Sequence, residues 1–196
     1  VVDSRRYASV TYEVPEAPRL QAADGETLLR IDPTSSSLTY EIQETFAGKK
    51  ASTATGVTNG IAGDLALNRA DLAASRMGDI VVNVEQFHSD NNLRDARIRQ
   101  DFLSSNRYPL ATFSLDSISG LDGELEEGRS YSFTMDGTVA LKDTEAPASF
   151  DVTARFEDGR LVATATTTAK LSRFDAGPIS IAGLVRFQNS DLVAAR

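Results

Sequence analysis

The sequence predicts an all-β fold with one short helix. Three observations carry this prediction: apolar and polar residues alternate over many short runs, turns rich in Gly and Asp separate the runs, and one stretch without Gly or Pro has helical spacing. About eight strands result, which is typical of a β-sandwich or a β-barrel. The alternation alone does not choose between these two architectures.

Residues 1–28 come first in the chain and differ in character from the remainder. Residues 7–14 could form a short strand, which Pro15 and Pro18 would end. We expect an N-terminal extension that either adds one strand to an open sheet edge or serves as a linker. The main domain is expected at residues 29–196.

Strand patterns then recur along the main domain. Leu38, Tyr40 and Ile42 share one face of the first clear strand, and residues 157–160 carry a hairpin signal, Glu-Asp-Gly-Arg. The last strand is predicted to begin at either residue 184 or residue 191. The other apolar strand positions are Val57, Ile61, Leu65, Leu67, Ile80, Val82, Val84, Phe113, Leu115, Tyr131, Phe133, Met135, Val139, Leu141, Phe150, Val152 and Phe156.

The strand at residues 160–171 lacks a large side chain across the middle of either face. One face presents Ala163, Ala165, Thr167 and Ala169, and the other presents Val and Thr. Small residues on an inward face leave volume inside an eight-stranded barrel, which either other side chains or one ligand could fill. Both readings, a packed core and a ligand cavity, stay open at this point.

The helical stretch lies between two strand patterns. Asn91 or Asn92 can cap its first turn, Ile98 and Phe102 fall four residues apart on one apolar face, and Pro109 prevents continuation. We expect a short helix near residues 92–104 that lies as a lid across one end of the β-structure.

Residues 94–113, RDARIRQDFLSSNRYPLATF, resemble the signature of the YceI-like family. In that family an Arg-Asp pair opens a short helix, a Phe-Leu or Phe-Phe pair closes it, and Tyr-Pro leads into a strand that ends in Phe. Further matching pieces are Ile31-Asp32, Ile61-Ala62-Gly63-Asp64, Asp136-Gly137-Thr138-Val139 and Leu171-Ser172-Arg173-Phe174-Asp175. Together the pieces cover roughly residues 29 to 192.

This resemblance implies an eight-stranded antiparallel, lipocalin-like barrel that encloses a long isoprenoid, quinone or fatty chain. It also implies a periplasmic or secreted protein. The chain starts at Val1 with no Met, as a processed protein would, so a lipid anchor on a removed N-terminus is compatible with this location.

The residues expected to contact such a ligand lie on the apolar strand faces and on the lid. A polar head group, or the attachment of the lid to the rim, would involve Arg94, Asp95, Arg97 and Arg173; structural hydrogen bonds are the alternative role for Arg94 and Asp95. The apolar tunnel is predicted to be lined by Tyr40, Ile42, Ile80, Val82, Val84, Phe102, Phe113, Leu115, Phe133, Met135, Phe150, Ala163 and Ala165.

Composition excludes several other functions. The net charge is −8 without a block rich in Lys or Arg, which disfavours nucleic acid and anionic membrane surfaces as partners. No cysteine is present, so disulfides and thiolate chemistry are excluded. No apolar run approaches the ~18 residues of a membrane-spanning helix.

Catalysis finds little support in the sequence. His88 is the only histidine, and neighbouring Ser89 and Asp90 are too local to complete a triad with it. We therefore expect no enzyme and no cofactor or metal besides a bound lipid. Two alternatives remain: a filled barrel that assembles through an open strand edge, for example as a homodimer, and a hydrolase or isomerase that uses His88.

Overall fold

The computed structural model describes residues 13–44, 52–170 and 178–189. These residues form one curled antiparallel sheet and a short helical segment, which comprises α1 (Asn92–Arg97) and a π-helical turn, Ile98–Leu103. The strands are β1 (Glu26–Ile31), β2 (Ser37–Glu44), β3 (Ser52–Thr58), β4 (Ile61–Ala62), β5 (Asp64–Asn68), β6 (Arg76–Met77), β7 (Ile80–Asn83), β8 (Leu110–Ser119), β9 (Ser130–Leu141), β10 (Thr144–Glu157), β11 (Arg160–Lys170) and β12 (Pro178–Asn189).

The hairpin predicted at residues 157–160 is confirmed. Glu157 pairs with Arg160 across the end of the β10–β11 ladder. The two residues between them, Asp158 and Gly159, have φ angles of 52° and 74°. Positive φ at both central positions is the geometry of a two-residue turn whose twist matches that of the flanking strands. The Asp-Gly sequence therefore fixes the register of the β10–β11 hairpin.

The sheet curls because consecutive short strands belong to bent stretches of the chain, and the two parts of each stretch pair at different places in the sheet. β1 and β2 both lie beside β12, at its end and its beginning. β4 pairs with β7, and β5 pairs with β1, although only Gly63 separates β4 from β5. The prediction of an all-β, antiparallel fold with one short helical segment is confirmed. Closure into an eight-stranded barrel stays a prediction.

The packed core occupies one end of the curled sheet and the space beneath the helical segment. Ile98, on the helical segment, is buried in this cluster together with side chains from the sheet. We call these residues the packed cluster; its buried members are Leu29, Ile31, Tyr40, Ile61, Leu67, Leu72, Val82, Val84, Phe87, Ile98, Tyr131, Ala154, Phe156 and Leu161.

In the N-terminal extension, residues 13–25 contain no strand, β1 begins at Glu26, and residues 1–12 lie outside the described residues. The extension is attached through Asp64, whose side chain is buried at the start of β5. That carboxylate accepts hydrogen bonds from Arg30 Nε at 2.9 Å and from the Leu20 backbone N–H at 3.2 Å. A buried carboxylate with charged and backbone donors is a stable anchor for an irregular segment.

The final strand contains the first of the two predicted starting points. β12 runs from Pro178 to Asn189 and pairs with β11, β2 and β1, so residue 184 lies inside it. Residues 191–194, the alternative starting point, lie outside the described residues, as does Arg173.

Candidate ligand-binding site

The burial of β10 changes along its inward face. Outward positions are exposed throughout the strand, whereas inward positions are half-buried at Ala146, Ala148 and Phe150 and buried from Val152 to Phe156. Alternation shows that all these apolar side chains point the same way. The first half of the inward face is therefore not covered by protein atoms to the extent that the second half is.

Four inward apolar residues on adjacent strands share this incomplete cover. Phe150 pairs with Met135, Leu115 pairs with Gly137, and Ala165 pairs with Val152, which places all four on neighbouring positions of β8 to β11. All four are half-buried. Among the described residues they belong neither to the packed cluster nor to the partly buried side chains packed against it. We call Leu115, Met135, Phe150 and Ala165 the lumenal patch.

The thirteen predicted tunnel residues fall into three groups. Tyr40, Val82, Val84 and Phe113 are buried, and Phe102 is 42% exposed. The remaining eight are half-buried: Ile42, Ile80, Leu115, Phe133, Met135, Phe150, Ala163 and Ala165. The structure thus brings eight of them to the positions where a ligand could replace solvent, and their contact with a ligand stays a prediction.

The small-residue face of β11 points inward. Ala163, Ala165 and Thr167 are half-buried, whereas the intervening Thr164 and Thr166 are exposed. The volume that these small side chains leave therefore lies on the inner side of the sheet, beside the lumenal patch.

Aromatic rings lie directly over two glycines of the inner wall, a feature that the sequence did not predict. The Phe113 ring covers Gly137, where an added Cβ would stand 2.6 Å from Cε2 and 2.7 Å from Cζ. The Tyr40 ring covers Gly56 in the same way. Phe113 also meets Phe150 edge to face, with ring centroids 5.0 Å apart. Glycine at these positions keeps the rings against the wall and out of the interior.

The helical segment lies at the sheet edge nearest the half-buried residues. It connects the end of β7 to the beginning of β8, where Asn83 pairs with Leu110. Leu141 ends β9 and pairs with both Ala111 and Thr144 at the same edge. Because β10 begins there, its half-buried positions are those closest to the helical segment. The placement agrees with a lid beside an opening.

The first turn of the helical segment is held by side-chain hydrogen bonds. Asn91, rather than Asn92, is the cap, and it accepts hydrogen bonds from the backbone of Leu93 and Arg94. Buried Asp95 accepts from the Ser89 hydroxyl at 2.6 Å and from the Ser89 backbone N–H at 3.0 Å. Arg94 Nη1 donates to Asp90 at 2.6 Å. Arg94 and Asp95 therefore have the anchoring contacts expected of a structural pair.

The second half of the helical segment departs from the predicted helix. A π-helical turn replaces regular α-helix from Ile98 to Leu103, and Ser104 ends it with a φ of 49°. A π turn takes more residues than an α turn, so positions four apart no longer coincide on one face. Ile98 is consequently buried while Phe102 is exposed.

One hydrogen bond joins the loop after the helical segment to the β9–β10 turn. Tyr108 Oη donates to Asp143 at 2.5 Å. This bond to the carboxylate raises the pKa of Tyr108 above its ordinary value of 10.0, because the phenol loses a favourable contact when it ionises. The phenol therefore remains a donor at neutral pH and ties the helical segment to the rim.

A groove of about 570 Å³ lies on the outer side of β8 to β11. Its lining includes Ser132, Asp151, Thr153 and Thr166, which are exposed, outward positions. Although Phe133 and Val152 also border the groove, most of its lining residues are Ser, Thr and Asp, and the exposed ones lie on the opposite side of the sheet from the lumenal patch.

The described residues contain no group of three or more His, Asp or Glu side chains placed to hold a metal ion. His88 forms a bridge with Val57, and its Nδ1 lies 3.3 Å from the Gln86 carbonyl oxygen. These contacts are those of a residue that joins the lid connection to β3. Within the described chain, no helix has the length and apolar character needed to cross a bilayer.

Comparisons with known proteins identify a family and a fold. The family model of the YceI-like domain matches residues 29–193. A polyisoprenoid binding domain from Saccharophagus degradans is 10% identical, with a TM-score of 0.64 over 84% of this chain and 99% of that chain. BcnA from Burkholderia cenocepacia is 15% identical, with a TM-score of 0.63 over 80% and 98%. No curated protein sequence gives a significant match.

Proposed function

The chain belongs to the YceI-like domain family, and from this premise we propose that it binds a long lipophilic chain on the inner side of its curled sheet. The ligand class is an isoprenoid, an isoprenoid quinone or a fatty-acid derivative. The name of the Saccharophagus neighbour, a polyisoprenoid binding domain, supports this class. The protein would carry the ligand or shield it from water, without acting on it chemically.

The observation that carries the proposal is the change of burial along β10. Ala146, Ala148 and Phe150 are apolar and inward but only half-buried, and the lumenal patch continues this surface across three more strands. Apolar surface that remains wet inside a sheet is costly, at roughly 25 cal/mol per Å². A lipid that covered it would recover that free energy.

The proposal includes closure of the sheet into an eight-stranded barrel. Support comes from the number of strands once bent strands are counted as one. β1 and β2 form one long bent strand, β3 to β5 form a second, and β6 and β7 form a third. Counted in this way there are eight strands, and the strand that contains β4 and β5 lies near both ends of the sheet order, since β4 pairs with β7 and β5 pairs with β1. A closed sheet would enclose a lumen, with the helical segment at the end where β10 begins.

The energetics suit a flexible hydrocarbon chain. Burying ten methylenes contributes on the order of 8 kcal/mol, which is enough for useful affinity after the cost of ordering the chain. The lumenal patch itself bears no charged side chain, so shape and apolar contact would provide the selectivity there. A polar head group would lie outside, near Arg94, Asp95, Arg97 or Arg173.

Carriage of a membrane lipid fits a location outside the cytoplasm. We propose a periplasmic or secreted carrier, with residues 1–28 as the extension of the binding domain. A bound lipid would be the only cofactor, and self-association through a strand edge would be secondary to ligand binding.

The test is native mass spectrometry of the purified protein, followed by organic extraction and identification of any released molecule. The informative variant is Ala165→Phe, which would fill the interior beside the lumenal patch, and its matched control is Thr166→Phe, which points outward on the same strand. We expect a co-purifying apolar molecule in the wild type and in Thr166→Phe, and its loss from Ala165→Phe.

Three outcomes would overturn the proposal. Absence of any apolar molecule, together with no binding of added polyprenol in detergent, would favour a filled barrel that serves as an interaction protein. Loss of the ligand from Thr166→Phe with retention by Ala165→Phe would place the ligand in the outer groove, which Thr166 lines. Equal ligand content in both variants would place it at neither position. Circular dichroism of each variant checks that the sheet is intact.

A further inference from the structure

Exposed apolar side chains are concentrated on the helical segment and at the start of β8. Four large hydrophobic residues are classed as exposed in the described chain, and three of them lie on the helical segment or at the start of β8: Leu93 at 79%, Phe102 at 42% and Leu110 at 43%. Single exposed apolar residues are ordinary on protein surfaces, whereas several on one short segment indicate a contact surface.

Arginines accompany these apolar residues. Leu93 and Arg97 stand four residues apart on α1, so they share its outward face, and both are exposed. Arg107, also exposed, lies between Phe102 and Leu110 in the chain, with its guanidinium 5.0 Å from the Tyr108 ring. We call Leu93, Arg97, Phe102, Arg107 and Leu110 the rim face.

The charge of the chain is unevenly distributed along the sequence. Residues 89–110 carry four arginines and three aspartates, a net charge of +1, which leaves −9 on the rest of a chain with a total of −8. The loop between β8 and β9, at the opposite end, has Asp122, Glu124, Glu126 and Glu127 against Arg129. This loop has a net charge of −3, whereas residues 89–110 are net positive within a net negative chain.

We propose that the rim face docks on a phospholipid bilayer, so that a lipid can pass between the membrane and the interior without crossing water. This inference rests on the proposed function, since the rim face borders the opening through which the ligand would enter. Leu93, Phe102 and Leu110 would insert among the acyl chains, and Arg97 and Arg107 would contact lipid phosphates.

The charges favour a bilayer over a second copy of this chain. The rim face contains Arg97 and Arg107 and no acidic residue, so a symmetric dimer through it would bring two positive surfaces together, and like charges across an interface repel. Phosphate groups accept hydrogen bonds from both arginines, and the bilayer interior accepts the apolar residues between them. Three apolar side chains make a small contact, which suits brief, reversible docking.

The test is co-sedimentation with vesicles of phosphatidylethanolamine and phosphatidylglycerol. The informative variant carries Leu93→Ser, Phe102→Ser and Leu110→Ser, and its matched control is Val14→Ser, the fourth exposed apolar residue. We expect the triple variant to lose at least about tenfold in partition, the equivalent of about 1.4 kcal/mol, while Val14→Ser keeps it.

A second variant guards against misfolding of the triple variant. Arg97→Glu with Arg107→Glu leaves the apolar residues in place, and Arg160→Glu on the β10–β11 hairpin is its control. Loss of partition in the first and retention in the second would support docking. Wild-type protein that stays in the supernatant, or variants that sediment as the wild type does, would overturn it.

Failure of docking and failure of ligand binding give different results. Wild-type protein that contains an extractable lipid but ignores vesicles would overturn docking and leave the proposed function intact. Protein without lipid that still sediments would overturn the proposed function alone. Sedimentation velocity tests whether a second copy of the chain binds the rim face instead. If the wild type is a dimer and the triple variant is a monomer, the rim face is a dimer interface and docking on a bilayer is overturned.

Discussion

Inward and outward residues alternate along the whole of β10, but the inward residues of its two halves are buried to different extents. Val152, Ala154 and Phe156 are buried, whereas Ala146, Ala148 and Phe150, on the same inward face, are half-buried. A strand pattern therefore tells which way a side chain points, and the elements on the opposite side decide whether it is covered. The comparison separates a packed half of the inward face of β10 from a half that is only partly covered.

The buried half is covered by connections rather than by strands alone. Leu72 belongs to the same packed cluster as Phe156 and lies in a 3₁₀ turn between β5 and β6. Leu125 packs against this cluster from the loop between β8 and β9. The guanidinium of Arg69 lies 4.6 Å from the Phe156 ring centroid. Loops cover the cluster at this end, and the helical segment covers part of it from the other end through Ile98.

The largest expected effect on stability would come from truncating a large side chain in the buried half of β10. Phe156→Ala should lower the free energy of unfolding by about 3–5 kcal/mol, because a buried ring leaves a cavity that its neighbours cannot fill. Phe150→Ala should cost only about 1 kcal/mol, mainly its edge-to-face contact with Phe113. Urea denaturation of both variants measures the difference, and equal losses would contradict the division of the interior.

A smaller effect on stability is expected at Gly137, beneath the Phe113 ring. Gly137→Ala would press a Cβ against the Phe113 ring and the Ser114 carbonyl oxygen, so the ring must move toward the lumenal patch. We expect a loss of about 1–3 kcal/mol and weaker ligand retention. Thr138→Ala, the next residue on the outer side, is the control. A Gly137→Ala protein as stable as this control would show that the ring position is not constrained.

The smallest effect concerns pH at the covered end. Arg76 donates hydrogen bonds to Glu26 at the start of β1, which lowers the pKa of that carboxyl from 4.5 to about 2. A lowered pKa in the folded state gives stability that is present above pH 4.5 and is lost as the pH falls toward 2. Glu26→Gln should therefore flatten the pH dependence of thermal unfolding in this window.

Arg155→Gln is the control for the pH experiment, since it removes an exposed pair with Glu157 elsewhere on the surface. If Glu26→Gln and the wild type lose stability in parallel as the pH falls through this window, the interaction with Arg76 does not contribute.

Much of the fold could be predicted from local patterns. The Asp-Gly turn set the β10–β11 register, and small residues at every second position of β11 marked its inward side. Phe102 could not be placed in this way, because the π turn depends on how Ile98 packs beneath the helical segment. The rings over Gly56 and Gly137 could not be predicted either, since their contacts join residues far apart in the chain.

The sequence by itself determined the all-β class, the inward faces, the position of the helical segment and the family, because these depend on neighbours within a few residues. Only the tertiary structure decided which inward residues are covered and which ring lies over which glycine. Those properties arise when strands from distant parts of the chain face each other, and the same apolar residue can then form core or binding surface.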